Sequence, residues 1–369
     1  MSELYARRRE ALRTQLRERG LDALLVVDLL NIRYLTGFTG SNAALAVSAA
    51  DGPADEKNTV FCTDGRYLTQ AGQQVPDLER LIDRPSATAL VGKLATQKTK
   101  HRRTGYESHH VTVEQLDGLA DAAGGVELIR APGMIEKLRI VKDDTEVEAL
   151  RMACAAADRA LADLMANGGL RPGRTEREVA RELEDRMLAN GAEKPSFETI
   201  VAAGANSAIP HHRPTDAVLK PGDFVKMDFG ALVDGYHSDM TRTVVLGEPA
   251  DWQREIYELV AESQAAGRAA LKPGADVKDI DAASRDVIDR AGRGAEFLHG
   301  LGHGVGLQIH EAPSLAKTGE GTLSAGMAVT VEPGVYLAGK GGVRIEDTLV
   351  VREAGPELLT LTTKQLMVV

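Results

Sequence analysis

Residues 219–230 read Leu219-Lys220-Pro221-Gly222-Asp223-Phe224-Val225-Lys226-Met227-Asp228-Phe229-Gly230, and the pattern returns further along the chain. Its echo is Leu323-Ser324-Ala325-Gly326-Met327-Ala328-Val329-Thr330-Val331-Glu332-Pro333-Gly334. In each copy a glycine turn leads into an apolar strand, and the strand ends on a carboxylate, Asp228 or Glu332. Outward from there, Asp239 aligns with Glu346, Thr241 with Thr348, and His211-x-x-Pro214 with His310-x-x-Pro313. Upstream, Leu170-Arg171-Pro172-Gly173 opens a helix carrying Val179, Leu183 and Met187. Leu271-Lys272-Pro273-Gly274 opens another with Val277, Ile280 and Val287. The second part of the chain is therefore expected to hold two copies of a helix-then-hairpin unit. Two copies exclude a solenoid, and a closed pseudo-symmetric pair facing one cleft is the natural packing.

The acids carry the chemistry. Asp228 and Asp239 flank a turn containing Asp234-Gly235, a hairpin signal. Glu332 and Glu346 flank Pro333 to Gly342 in the same way. Neighbouring strands lie about 5 Å apart, so the paired carboxylates can face each other. Taken singly, each acid reads as a strand-end or ion-pair residue, Glu346 beside Arg344 for example. Four of them converging between apolar strands would repel strongly, at several kcal/mol each if buried unpaired. Bound dications resolve the conflict, and two metals about 3.5–4 Å apart are a known arrangement for hydrolysis. Calcium is disfavoured because the DxDxDG spacing is absent. Three of nine histidines, His299, His303 and His310, fall within one short stretch. Imidazole among carboxylates suits manganese, cobalt, iron or zinc better than magnesium.

The first 140 residues alternate helical and strand patterns. Leu4, Ala11, Leu12 and Leu16 predict an amphipathic helix stopped by Gly20. Strands are expected at 22–27, 43–47, 59–63 and 126–130, with helices near 65–75, 87–97 and 112–122. Thr36-Gly37-Phe38-Thr39-Gly40 reads as a loop, since it lacks the spacing of a phosphate-binding motif. The alternation pauses at Ala131-Pro132-Gly133, and a long helix is expected from Asp143-Asp144-Thr145-Glu146. These features set an α/β domain over 1–138 and a second domain over 139–369.

Composition narrows the function. A chain of 369 residues with 43% hydrophobic and 27% charged residues is globular in character. The net charge of −10 argues against a nucleic-acid partner. The opening MSELYARRRE has no apolar stretch behind its charges, so no signal peptide and no membrane span are expected. Cys62 and Cys154 lie outside any CxxC pattern and read as buried thiols of a cytoplasmic protein.

Asp228, Asp239, His303, Glu332 and Glu346, within GHGVGL, VEPGVY and GVRIEDT around the last three, resemble the pita-bread metallopeptidases. That family comprises aminopeptidase P, prolidase, methionine aminopeptidase and the metal-free creatinases. NIRYLTGFTGSNA and TDGRYLTQA resemble the N-terminal domain of its Xaa-Pro branch, so the likeness spans the whole chain. It implies a creatinase/prolidase-type α/β domain followed by an α+β pita-bread domain with an internal pseudo-twofold repeat. It implies two divalent ions, manganese first, with cobalt, zinc or iron as alternatives. Asp228 would hold one, His303 and Glu332 the other, with Asp239 and Glu346 bridging. Glu332 would also exchange the proton of a bridging hydroxide, and His211 would serve the oxyanion or the leaving proline nitrogen. His299 and His310 would line the substrate pocket, and Arg344 would support Glu346 and the substrate side. The implied reaction is release of the first residue from an Xaa-Pro peptide by a homodimer. Strict Xaa-Pro dipeptidase action is the alternative, and a non-peptidase hydrolase or a binding protein on the same scaffold stands behind it. One departure bears on this choice: Ser314 stands after His310-Glu311-Ala312-Pro313, where several short prolidases carry an arginine.

Overall fold

The structure, a computed structural model, describes residues 2–52, 55–97 and 100–369; Met1, Pro53, Ala54, Lys98 and Thr99 of the expected first domain lie outside the described residues. The chain divides into two units, Met1–Arg139 and Ile140–Val369.

The first unit is built on a six-stranded mixed sheet. Its order is Glu79–Ile82, Val60–Thr63, Ala43–Ser48, Ala23–Val26, Arg103–Tyr106, Glu127–Arg130. Leu25, Ala44, Ala46 and Val60 of this sheet pack on Leu90, Val91 and Leu94 of the helix Ser86–Thr96. The stretch 36–40 follows a helix, Leu29–Thr36, which Asp28 caps and Gly37 ends in the left-handed region. That helix, a second at Met134–Arg139, and the strands Glu79–Ile82 and Arg103–Tyr106 go beyond the sequence expectation. Glu79–Ile82 is largely exposed, so it has no apolar signature to read. The sequence Arg-Thr-Gly-Tyr at 103–106 likewise lacks alternation.

The second unit shows the repeat as architecture. In the first half, the helices Asp144–Ala166 and Glu176–Ala189 cover a four-stranded sheet ordered Met367–Val368, Met240–Val245, Phe224–Phe229, Ile200–Ala203. In the second, Asp251–Ala270 and Val277–Arg290 cover a five-stranded sheet ordered Glu311–Leu315, Gly302–Gly304, Ala328–Val331, Asp347–Val350, Glu357–Leu358. The long helix starts where the acids predict, with Asp143 and Glu146 forming a capping box. Each half has its own core: Val179, Leu183 and Met187 pack with Val225, Met227 and Phe229. Val277, Ile280 and Ile288 do the same with Val329, Val331 and Leu349.

The hairpins are two-tiered. Phe224–Phe229 pairs antiparallel with Met240–Val245, setting Asp228 opposite Thr241. Between them a small hairpin forms from Ala231–Val233 and Tyr236–His237. It turns at Asp234 and Gly235, both at positive φ (47° and 72°), as the Asp-Gly signal requires. In the second half, Ala328–Val331 pairs with Asp347–Val350, and Gly334–Leu337 with Gly341–Arg344. Asp239, Glu332 and Glu346 therefore sit at the breaks between tiers, whereas Asp228 lies inside a ladder. The halves differ in register by two residues, since Thr348 faces Thr330 where the alignment would set it opposite Glu332. An even shift keeps every side chain on its own face, so both halves still present their acids inward.

Among the described residues, no helix is long and apolar enough to cross a membrane. Both cysteines are buried and free.

Gly230 holds the two tiers of the first hairpin together, because a Cβ there would lie 1.8 Å from the Ser238 carbonyl oxygen. Gly230→Ala is expected to destabilise the protein by about 1–3 kcal/mol or more, read as a lower denaturation midpoint. An unchanged midpoint would contradict this close approach.

Candidate functional site

The breaks between tiers leave short backbone segments whose side chains point into one cavity of about 560 Å³ in the second unit. Asp228, Asp239, Glu332 and Glu346 line it, with His303 from the strand Gly302–Gly304. His211, His299, His310 and Arg344 line the same cavity, so all nine residues singled out in the sequence meet there. Ligand atoms of Asp239, His303 and Glu346 lie within 4.8 Å of one another.

The hydrogen bonds show how this charge is held. The Arg344 guanidinium pairs directly with Asp228. It reaches Glu346 only at one remove: Arg344 Nε donates to Thr241 Oγ1 (3.0 Å), whose hydroxyl donates to Glu346 Oε2 (2.6 Å). Thr348 Oγ1 donates to the Asp239 carbonyl at 2.8 Å. Each repeat's threonine thus steadies the acidic residue of the other repeat. Thr330 Oγ1 accepts from the His303 N–H (3.0 Å) and donates to Glu332 Oε1 (3.2 Å). Glu346 Oε1 and Asp228 Oδ1 remain buried with no hydrogen-bond partner. Buried carboxylate oxygens left bare are costly and call for an explanation.

The ionisation of the site points the same way. Burial, with the neighbouring acids adding to it, raises Asp239 to about 6 and Glu332 to about 7. The same causes push Glu346 well above the usual carboxylate range. His303 Nδ1 lies 3.0 Å from the Gly304 carbonyl, which can only accept, so that nitrogen carries the proton. Nε2 then faces Asp239 Oδ2 at 3.5 Å and Glu332 Oε1 at 3.4 Å. Burial alone would lower His303, yet these two acids raise it to about 9. His303 Nε2 among carboxylates, once its proton is displaced, and two orphaned carboxylate oxygens form a donor set that fits divalent cations.

The other histidines differ. His299 Nδ1 lies 2.8 Å from the Gly300 carbonyl, and Nε2 lies 2.8 Å from the Tyr336 hydroxyl, itself a partner of Arg344. Burial, with the Arg344 charge, lowers it to about 4, so it stays neutral and presents its ring rather than a free nitrogen. His310 stacks edge-on to His303 with ring centroids 4.4 Å apart. His211 is exposed to the cavity.

Sequence reading passed over several residues. Phe197, Ile309 and Ala316 supply apolar wall, and Glu198 and Arg213 form an ion pair of 3.2 Å on the lining. Ser314, which the sequence did single out, lines the cavity as well. Lys226 is fully buried two residues before Asp228. A signal for it existed, because strand alternation puts Lys226 and Asp228 on one face. Tyr336 carried no such mark.

Comparison with known proteins places this arrangement. Residues 148–353 match the model of "Metallopeptidase family M24", and residues 8–141 that of the "Creatinase/Prolidase N-terminal domain". A Bacillus subtilis (strain 168) protein named "Uncharacterized peptidase YqhT" is 39% identical over 97% of this chain and 99% of its own length. The solved structure of an Xaa-Pro dipeptidase from Bacillus anthracis superposes with a TM-score of 0.92 at 38% identity, covering 99% of this chain and 100% of that one. That of an X-Pro aminopeptidase from Thermotoga maritima MSB8 gives 0.86 at 34% identity, covering 95% and 99%.

The three raised acids and His303 hold protons that a cation must displace, so all four shifts weaken metal binding as pH falls. Manganese is expected to bind at least roughly tenfold more weakly at pH 6 than at pH 8, with proton release on binding. Titration calorimetry in two buffers of different ionisation enthalpy reads both effects. Equal affinity at the two pH values would contradict this geometry.

Proposed function

The chain belongs to metallopeptidase family M24 and is an Xaa-Pro peptidase, and on that premise we propose that it releases the first residue from peptides whose second residue is proline. The observation that carries the reading is the cluster of four carboxylates around His303, with two carboxylate oxygens left buried and bare. M24 peptidases use divalent metals, and here Asp228, Asp239, His303, Glu332 and Glu346 would hold two, manganese being the proposed ion. When bound, such ions supply Lewis-acid polarisation of the scissile carbonyl and a nucleophile at neutral pH.

The protein's own groups do the rest. Glu332, set on the cavity at the end of the strand Ala328–Val331, is the proposed group that takes a proton from water and passes it on. An Xaa-Pro bond is a tertiary amide without an N–H. On cleavage its C–N bond breaks, water's hydroxyl goes to the acyl carbon, and the proline nitrogen takes a proton. His211, exposed at the cavity, is the proposed group that steadies the oxyanion or protonates that nitrogen. Arg344 orients Asp228 directly and Glu346 through Thr241. The rings of His299 and His310, with Phe197 and Ile309, give the flat proline ring an apolar surface to pack against. Most of the chain's action is thus binding, orientation and proton transfer.

A second reading, strict dipeptidase action, is favoured by Arg213, a cation on the cavity lining that could pair with a dipeptide carboxylate. Against it stands Ser314, a neutral hydroxyl on the same lining. A charge-assisted bond to that carboxylate is worth about 1.5–3 kcal/mol, roughly a ten- to hundredfold preference.

Three outcomes test these roles. Ala-Pro-Ala is expected to be cleaved at least as efficiently as Ala-Pro; hydrolysis of Ala-Pro alone would replace the aminopeptidase reading with the dipeptidase one. Asp239→Ala should abolish hydrolysis and lower the metal content, and full activity of this variant in EDTA would remove the metal assignment. His211→Ala should retain its metal but turn over about 10²–10⁴ times more slowly. Unchanged turnover would make His211 a structural residue.

A further inference from the structure

Lys226 is an amine-bearing side chain with no exposed surface, in the strand Phe224–Phe229 on the face opposite Val225, Met227 and Phe229. An apolar residue would fill the place at lower cost, since a buried amine gives up its hydration. Its Nζ donates to the carbonyl of Ile209 at 2.6 Å and to that of Pro210 at 3.1 Å, and lies 5.0 Å from the Tyr336 ring centroid. Both carbonyls belong to the segment that delivers His211. Arg344 Nη1 adds a longer bond to the Pro210 carbonyl, 3.3 Å.

The rest of that loop is held from its flanks. Glu176, fully buried, accepts from the Ala203 N–H (2.8 Å), Asn206 (2.9 Å) and the Thr215 N–H (2.9 Å), and pairs with His212 (2.8 Å). His212 is thereby fixed inward while His211 faces the cavity. The His211 imidazole has no hydrogen-bond partner among the described residues, so its position depends on the backbone beneath it. The second repeat offers a parallel. The position aligned with Lys226 is Thr330, which braces His303 and Glu332. In both halves, the residue two places before the acid holds a histidine-bearing segment.

We propose that Lys226 is a positioning residue for His211, fixing through the Ile209 and Pro210 carbonyls the backbone from which that imidazole enters the cavity. This rests on the reading of His211 as the proton-transfer group. Lys226 touches neither substrate nor the reacting bond. It acts on turnover through geometry, where a displacement of about 1 Å can cost a hundredfold in rate. Substrate affinity and metal content should change little.

The test is a double-mutant cycle on the manganese-loaded protein hydrolysing Ala-Pro. Lys226→Met, close in length and without a donor, is expected to lower kcat about 10–100-fold while KM stays within about twofold and metal content is unchanged. In a His211→Ala background the same change should cost less than about twofold, because the residue it positions is already gone. In the metal-free protein, the His211 imidazole NMR resonances should shift or broaden in Lys226→Met. Lys226→Gln, which keeps one donor group, takes its place in the cycle if Lys226→Met does not fold. A full kcat in the single variant, or an undiminished loss in the His211→Ala background, would overturn the proposal. Unchanged turnover of His211→Ala by itself would remove the reading of His211 and this inference with it. That result is distinct from one in which His211→Ala is slow and Lys226→Met is not.

Discussion

Four carboxylates share one poorly solvated space, and much of the second unit is arranged around their mutual repulsion. Two unit charges 4 Å apart interact by about 4 kcal/mol at the effective dielectric of a protein surface. The fold offsets part of this with Arg344 on Asp228, Thr241 on Glu346 and Thr330 on Glu332. It leaves the remainder unbalanced, as the bare oxygens of Asp228 and Glu346 and the raised acids record. A cluster so incompletely neutralised by its own protein is organised to receive positive charge.

The repeat makes this possible at modest conformational cost. Each half has its own apolar core, so Asp228 projects from within a rigid strand and Asp239, Glu332 and Glu346 from strand ends. The halves are locked by reciprocal contacts, Thr241 to Glu346 and Thr348 to Asp239, and by the fully buried Arg242–Asp347 ion pair at 2.8 Å. Such a pair contributes little net stability, but losing one partner would strand the other. Its value here is alignment, because Asp347 adjoins Glu346 and Arg242 adjoins Thr241.

The histidines divide by what their second nitrogen meets. His303 and His299 both have Nδ1 against a backbone carbonyl, which fixes the tautomer. For His303 the other nitrogen faces two acids, and for His299 it meets a tyrosine hydroxyl. The one is left able to coordinate a cation, the other is neutral wall. His211 has no such partner and takes its place from the backbone below it, on which Lys226 and Arg344 converge.

The sequence alone determined the repeat, the acids on its strands, the Asp234-Gly235 turn and the start of the long helix at Asp143. Each of these is written locally, as alternation, a turn residue or a cap, and so survives without knowledge of the fold. The alignment of the repeats also brought Asp239 and Glu346 together. It could not give the two-residue register shift, because inward and outward faces are the same after an even slip. Strands such as Glu79–Ile82 escaped because an exposed edge has no hydrophobic pattern. Only the tertiary structure decided that Arg344 grips Asp228 and reaches Glu346 through Thr241, that His299 is already bonded at both nitrogens, and that Lys226 lies beneath the His211 segment. The Arg344 and Thr241 contacts join residues over a hundred positions apart, and the others, apart from His299 to Gly300, still reach beyond one strand or turn. Side-chain partners at that separation are set by how strands pack, which no local pattern encodes.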